Sequence, residues 1–207
     1  MNSLFKIIAI LILTIGITTQ HIQAQSVGLK SGVNIANFYD TDFDSKNRFA
    51  FNIGFYGNFN LKGTPFSIQP ELFYSQKGST STWQSGDILT NGTFKLDYIE
   101  IPLLLKFTKG LTYNTNLNIM AGPSFAYLLR STFSSIDLKD STRSTDFGIV
   151  GSIGYEFPFA SKLVSFEARY NHGFSEIYDS GFNPECCGEF PRPQKNRTIS
   201  IIVGIGF

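Results

Sequence analysis

Three features of this 207-residue sequence predict an all-β fold: a closed antiparallel up-and-down transmembrane β-barrel of about eight strands. Apolar residues recur at every second position over stretches long enough to cross a bilayer as strands. Short and long connections alternate between those stretches. An export leader stands in front of them.

In the leader, Lys6 supplies the positive start, residues 7–17 form an apolar run, and Ala24 is the small residue before Gln25. Residues 1–24 are read as a cleaved signal peptide and 25–207 as a single barrel domain, although Ile22, three places before the cut, is larger than usual. The apolar run is too short to span a bilayer as a helix, and neither cysteine lies near it, which excludes a lipidated N-terminal cysteine. Lys6 is the only charged residue lost with the leader, leaving 16 basic and 16 acidic residues, a balance that excludes nucleic acid as the partner. With 21 Phe, 9 Tyr and 19 Gly but only 16% charged residues, the chain suits strands and tight turns better than helices. No later run of apolar residues could cross a membrane as a helix, whereas a barrel strand needs only about 9 to 11 residues with alternate ones apolar.

The strands follow in order. The first, near 26–37, sets Val27, Leu29, Val33 and Ile35 against Gly28, Lys30, Gly32 and Asn34. The second, near 48–60, sets Phe49, Phe51, Ile53, Phe55 and Phe59 against Asn52, Gly54, Tyr56 and Asn58. The third, near 65–78, sets Phe66, Ile68, Leu72 and Tyr74 against Ser67, Gln69, Glu71 and Ser75. The fourth, near 93–107, sets Ile99, Ile101, Leu103, Leu105 and Phe107 against Tyr98, Glu100 and Lys106. The fifth, near 113–130, sets Leu117, Ile119, Phe125, Tyr127 and Leu129 against Asn116, Asn118, Ser124 and Arg130. The sixth, near 144–157, sets Phe147, Ile149, Ile153, Tyr155 and Phe157 against Asp146, Gly148, Ser152 and Glu156. The seventh, near 163–174, sets Val164, Phe166, Ala168 and Tyr170 against Ser165, Glu167, Arg169 and Asn171. The eighth, near 197–207, is the clearest: Ile199, Ile201, Val203, Ile205 and Phe207 oppose Thr198, Ser200, Ile202, Gly204 and Gly206. Pro70, Pro102 and Pro123 fall inside these runs and are read as bulges or strand-end irregularities.

Connections after the even strands are short (61–64, 108–112, 158–162), and those after the odd strands are long and polar (38–47, 79–92, 131–143, 175–195). Outer-membrane barrels have this asymmetry, with periplasmic turns and external loops. Alternation alone does not say which face is outside. Charges decide it: Lys30, Glu71, Glu100, Lys106, Glu156, Glu167 and Arg169 all fall on the polar face, where they can pair, whereas a carboxylate facing lipid would be costly. The apolar face is therefore assigned to lipid and these seven residues to an interior polar network. Eight strands leave an interior filled by side chains, which predicts an anchor for loops and not a solute channel.

Several segments resemble a known family. Residues 28–34, Gly-Leu-Lys-Ser-Gly-Val-Asn, are similar to a glycine-flanked opening strand, and residues 97–107, Asp-Tyr-Ile-Glu-Ile-Pro-Leu-Leu-Leu-Lys-Phe, are the most specific match. Ala121 to Phe125, Asp146 to Gly148, Ala168 to Asn171 and the terminal Phe207 add weaker ones. On these residues the chain resembles the PorT-like outer-membrane β-barrel proteins of Bacteroidetes over nearly all of the mature sequence. The resemblance implies the fold and the bacterial outer membrane, and it raises a role in protein secretion or gliding, which some relatives have.

Three functions follow as expectations. The first is a non-enzymatic, monomeric barrel in contact with outer-membrane lipid, its long loops binding a protein or surface ligand or shielding the surface. The second is a PorT-type accessory factor. The third is an outer-membrane lipid hydrolase, for which His172, Ser175 and Glu176 supply the residue types. Strand alternation sends His172 and Ser175 to opposite faces and disfavours that reading. Asp40, Asp42 and Asp44 alternate as calcium ligands do, but the glycine and distal glutamate of an EF-hand are missing. No cofactor or metal is expected.

Cys186 and Cys187 enter an oxidising compartment on export, where a disulfide is expected. Adjacent Cα atoms lie about 3.8 Å apart, below the usual disulfide span of about 4.4 to 6.8 Å, so a bond between them would be strained and easily reduced. Intact-mass measurement with alkylation should show a monomer two protons light; two alkylated thiols, or a dimer without reductant, would refute the bond.

Overall fold

The computed structural model describes residues 26–41, 44–85, 88–112, 114–178 and 194–207, excepting the side chains of residues 44, 82–85 and 88–91. Residues 1–24, read from the sequence as a leader, and the Cys186–Cys187 pair lie outside the described residues. Ten strands run β1 (Ser26–Tyr39), β2 (Asp44–Lys46), β3 (Arg48–Asn60), β4 (Phe66–Ser85), β5 (Ile88–Thr112), β6 (Thr115–Phe133), β7 (Ile136–Asp137), β8 (Thr145–Phe159), β9 (Lys162–Glu176) and β10 (Lys195–Gly206). Eight of them form the wall, each antiparallel to the next in the chain, and the barrel closes where β1 pairs with β10. The short β2 and β7 lie against β4 and β6 at the end carrying the long connections.

The strand period sorts the side chains. Val27, Phe51, Ile101, Ile153 and Ile201 face outward and are about half exposed, whereas Lys30, Glu71, Glu100 and Glu167 face inward and are buried. An apolar exterior around a charged interior is the reverse of a water-soluble barrel, and it matches a wall immersed in hydrocarbon. Aromatic residues collect at both ends of the outer face. Tyr39, Tyr74, Tyr127 and Tyr170 lie toward the long connections, and Phe66 and Phe107, with ring centroids 5.4 Å apart, toward the short turns. At the short-turn end Lys162 lays its Nζ 4.1 Å from the Phe207 ring centroid.

Two glycines have specific duties. Gly63, at φ +75°, makes the tight turn between β3 and β4. Gly28 leaves room for Tyr56 to lie across the lumen, since a Cβ there would come 2.4 Å from the Tyr56 ring.

Several connections differ from the reading of the sequence. Residues 79–92, read as a loop, are mostly a continuation of the β4–β5 hairpin, paired out to Ser85 opposite Ile88. The short connection read at 108–112 is strand, and β5 pairs with β6 as far as Thr112 and Thr115. Outward apolar alternation marks a strand only where that face meets lipid; beyond the membrane the outer face is wet, and Ser and Thr carry the pairing without that signal, with Ser79 and Ser81 buried on the inner side. Parts of 38–47 and 131–143 are likewise strand, as β2 and β7.

The prolines do not sit at bulges. Pro70 opposes Leu103 and Phe73 opposes Glu100 in one unbroken register, as do Pro102 with Ser124 and Leu105 with Ala121. A missing N–H removes one ladder bond without shifting its neighbours. Shifts occur elsewhere, at Asp97/Tyr98 and Lys195/Arg197, toward the outer rim. The first of these reverses the parity of β6, so Arg130, read as inward, is exposed opposite Asp97.

The topology gives a direct test. With Cys186 and Cys187 replaced by Ser, a cysteine at Ser85 should react with a membrane-impermeant maleimide on whole cells, and one at Gly110 should not. The opposite result would mean that the barrel is inserted the other way round.

Candidate functional site

Alternate residues of β1, β4, β5, β8 and β9 project charges into one narrow lumen. At its middle, Lys30 Nζ lies 2.7 Å from Glu71 and 2.7 Å from Glu167. Arg169 closes the square, 2.7 Å from each of the same two glutamates. Its guanidinium also lies over the Phe73 ring, 5.3 Å from the centroid. Nearer the short turns, Lys106 meets Glu156 at 2.9 Å, and Asn118 donates to the same carboxylate at 3.3 Å.

Nearer the outer end, Glu100 accepts from Ser124 at 2.9 Å and from Asn171, and pairs with Lys77 at 3.2 Å. The seven residues assigned to the interior thus sit in three groups: Lys30, Glu71, Glu167 and Arg169 together, Lys106 with Glu156, and Glu100 apart with Lys77. Lys77 was missed. Its signal was parity, since it stands two residues beyond Ser75 on the inward series of β4. It gives Glu100 a basic partner, bringing four basic groups to the four glutamates, while a further inward acid, Asp146, accepts from Asn196 at 2.9 Å. Taking such charges out of water costs several kcal/mol per ion unless each finds a partner, so this pairing is a condition for burial.

Two small voids lie among these groups in the described residues. One void of about 20 Å³ lies among Asn34, Asn52, Thr198 and Arg169, and another of about 10 Å³ among Lys30, Tyr56, Gln69 and Lys106. Each holds about one water molecule.

The outer mouth is closed by an apolar cluster that includes Phe38, Phe94, Leu96, Leu128, Phe133, Leu138, Ile177 and Tyr178. Phe94 is its hub, with ring centroids 5.6 Å from Phe38, 4.6 Å from Phe133 and 5.9 Å from Tyr178. Burial pushes the Tyr178 phenol up to about 12. Backbone bonds tie the cluster together: Arg143 N–H donates to the Ile177 carbonyl at 2.8 Å, and Ile177 N–H to that of Gln194 at 2.7 Å. Inward positions that are charged within the membrane thus become apolar above it.

The hydrolase candidates are held apart. Tyr39 donates its only hydroxyl proton to the Gly173 carbonyl at 2.6 Å, so at its 3.1 Å contact with His172 the donor is the imidazole Nε2–H. His172 Nδ1 then accepts from Tyr170 at 3.2 Å. Ser175 Oγ accepts the Phe147 N–H at 2.9 Å, and Glu176 pairs with Arg143 at 2.9 Å. Both imidazole nitrogens are occupied by tyrosines, leaving none to activate a serine. Of the three aspartates weighed for calcium, Asp40 lies 3.6 Å from Lys195, whereas Asp42 and the Asp44 side chain are outside the described residues. Among the described residues no group of three His, Cys, Asp or Glu could hold a metal ion.

A family model described as "Outer membrane protein beta-barrel domain" matches residues 23–179. The chain belongs to that family. Membership in the outer membrane protein β-barrel domain family places the protein in the outer membrane. No curated protein matches the chain.

Among solved structures, Neisserial surface protein A is similar at 12% identity, covering 87% of this chain and 97% of its own, with a TM-score of 0.50. That likeness shows the fold. The attachment invasion locus protein Ail of Yersinia pestis is 16% identical, covering 89% of this chain and 100% of its own, with a TM-score of 0.47. The outer membrane protein OprG of Pseudomonas aeruginosa is 13% identical, covering 90% and 99%, also with a TM-score of 0.47.

Proposed function

We propose that this outer membrane β-barrel domain protein is a non-enzymatic anchor whose raised outer end, with its long connections, binds a partner or shields the surface. One observation carries the reading: the wall continues far beyond what the membrane requires, over a lumen that is filled. β4, β5 and β6 have 20, 25 and 19 residues, against the roughly 9 to 11 needed to span. Their surplus, flanked by β2 and β7, forms a sheet above the membrane, backed by the Phe94 cluster. Such a platform holds connections in a fixed arrangement, which lowers the entropy lost when a partner is bound. The paired charges below it fill the interior, and the voids found beside them among the described residues hold about one water each.

The reading includes a leader removed after Ala24, a monomer in lipid, and the Bacteroidetes as source. Purified from outer membranes, the protein should begin at Gln25, migrate differently on gels when unheated, and add no conductance to planar bilayers. Solute-sized conductance, or recovery as a soluble periplasmic species, would overturn it. Deletion of the gene followed by comparison of secreted and surface proteomes separates it from a PorT-type role: broad loss of secreted proteins would favour the latter.

A further inference from the structure

We propose that the outer wall formed by β8, β9 and β10 binds a phosphate-bearing lipid of the outer leaflet, its head group on Arg197 and one acyl chain in a groove beneath. Arg197 faces outward, between Asn37 of β1 and His172 of β9. The next outward row is Ile35, Ile199 and Tyr170, and below it come Val33, Ile201, Ala168 and Ile153. On β8 the outward Ile149 shares the Arg197 row and exposed Phe147 lies above it, so the guanidinium stands at the upper margin of the apolar wall, the level assigned to the lipid phosphate.

Arg197 is exposed and makes no ion pair among the described residues. Two nearby acids are engaged elsewhere, Glu176 with Arg143 at 2.9 Å and Asp40 with Lys195 at 3.6 Å. His172 is held beside Arg197 by stacking on Tyr39, with ring centroids 4.7 Å apart. A guanidinium with no acidic partner among the described residues is a bidentate donor suited to phosphate.

The groove lies on the same strands. Ile153, Tyr155, Phe166, Ala168 and Ile201 line a hollow of about 280 Å³ open to the lipid side. It exists because outward Ala168 is small where its neighbours are not, and in the row above it a Cβ at Gly151 would meet nothing within 4 Å. Four residues of strand separate Arg197 from Ile201, about 13 Å along the chain, enough to carry a lipid from head group into acyl region. A basic rim above an apolar hollow complements a phosphorylated lipid better than a neutral one, which would use the hollow alone.

The outer-membrane reading enters this proposal only in naming the leaflet that supplies the lipid. The test is native mass spectrometry of the mature protein in mild detergent, titrated with diphosphorylated lipid A or with phosphatidylcholine. One lipid A should be retained at concentrations that leave the protein free of phosphatidylcholine. Arg197→Gln should weaken retention by about tenfold or more, the effect of losing a charge-assisted pair. Ala168→Phe, which fills the groove, should weaken it comparably, whereas Arg130→Gln, exposed on β6, should leave it unchanged. All three side chains are outside the lumen, and unheated gel migration verifies folding. Equal retention of phosphatidylcholine, indifference to Arg197→Gln, displacement by inorganic phosphate alone, or a dimer in place of the lipid adduct would overturn the site. Binding is read in detergent, so it can fail while whole-cell labelling at Ser85 succeeds, and the reverse.

Discussion

Arg169→Ala should lower the stability of the barrel by about 3–5 kcal/mol, the range for removing one partner of a buried ion pair. The arginine contacts Glu71 and Glu167, each at 2.7 Å, and Lys30 is the other base shared by the pair. Its removal leaves two carboxylates facing each other across one ammonium, and water entering the vacated space does not supply the lost positive charge. Glu100→Ala should also destabilise, by a few kcal/mol, because it strands Lys77 and removes the acceptor of Ser124 and Asn171. Urea titration in detergent, read from the gel shift between folded and unfolded forms, measures both. Adding Glu167→Gln to Arg169→Ala should restore part of the loss, because the surplus negative charge goes with it. If Arg169→Ala and Glu100→Ala both leave the unfolding midpoint where it was, these groups are hydrated and the lumen is not a buried network.

Ile201→Lys should cost about 2–4 kcal/mol in lipid vesicles, the measured scale for a lysine near the bilayer midplane. Ile201 lies between Val33 and Ala168 on the outer face, with an apolar row above it and two below, so the ammonium could reach water only by a long detour. Phe207→Lys, at the short-turn interface, should cost no more than about 1 kcal/mol because its head can reach the aqueous phase. The contrast between the two positions is the diagnostic, since it depends on depth and not on lysine as such. Equal costs at both positions would show that the outer face is not in hydrocarbon.

Much of this molecule was legible in its sequence. In β10 the alternation of Ile199, Ile201, Val203 and Ile205 with smaller residues assigns every side chain to a face, and parity elsewhere placed Lys30, Glu71, Glu100 and Arg169 on the inner one. Parity fails where the ladder shifts. Arg130 was misplaced because an extra residue in β6, opposite Asp97/Tyr98, reverses the faces beyond it. Lys77 was overlooked because it stands at the end of the apolar signal, although it lies on the same inward series as Ser75.

Strand number, strand polarity and the identity of the lipid-facing side were properties of the sequence alone, because a bilayer imposes a period of two and forbids unpaired charge on one face. Only the tertiary structure decided which charges meet. Glu71 and Arg169 are 98 residues apart, and their contact depends on the stagger with which eight strands close into a barrel. The raised sheet and its Phe94 cluster were decided at the same level. Above the membrane the apolar side chains move to the inner face, as at Phe94 and Leu96, so the outward apolar signal that marks a membrane strand is lost and pairing is set by neighbouring strands.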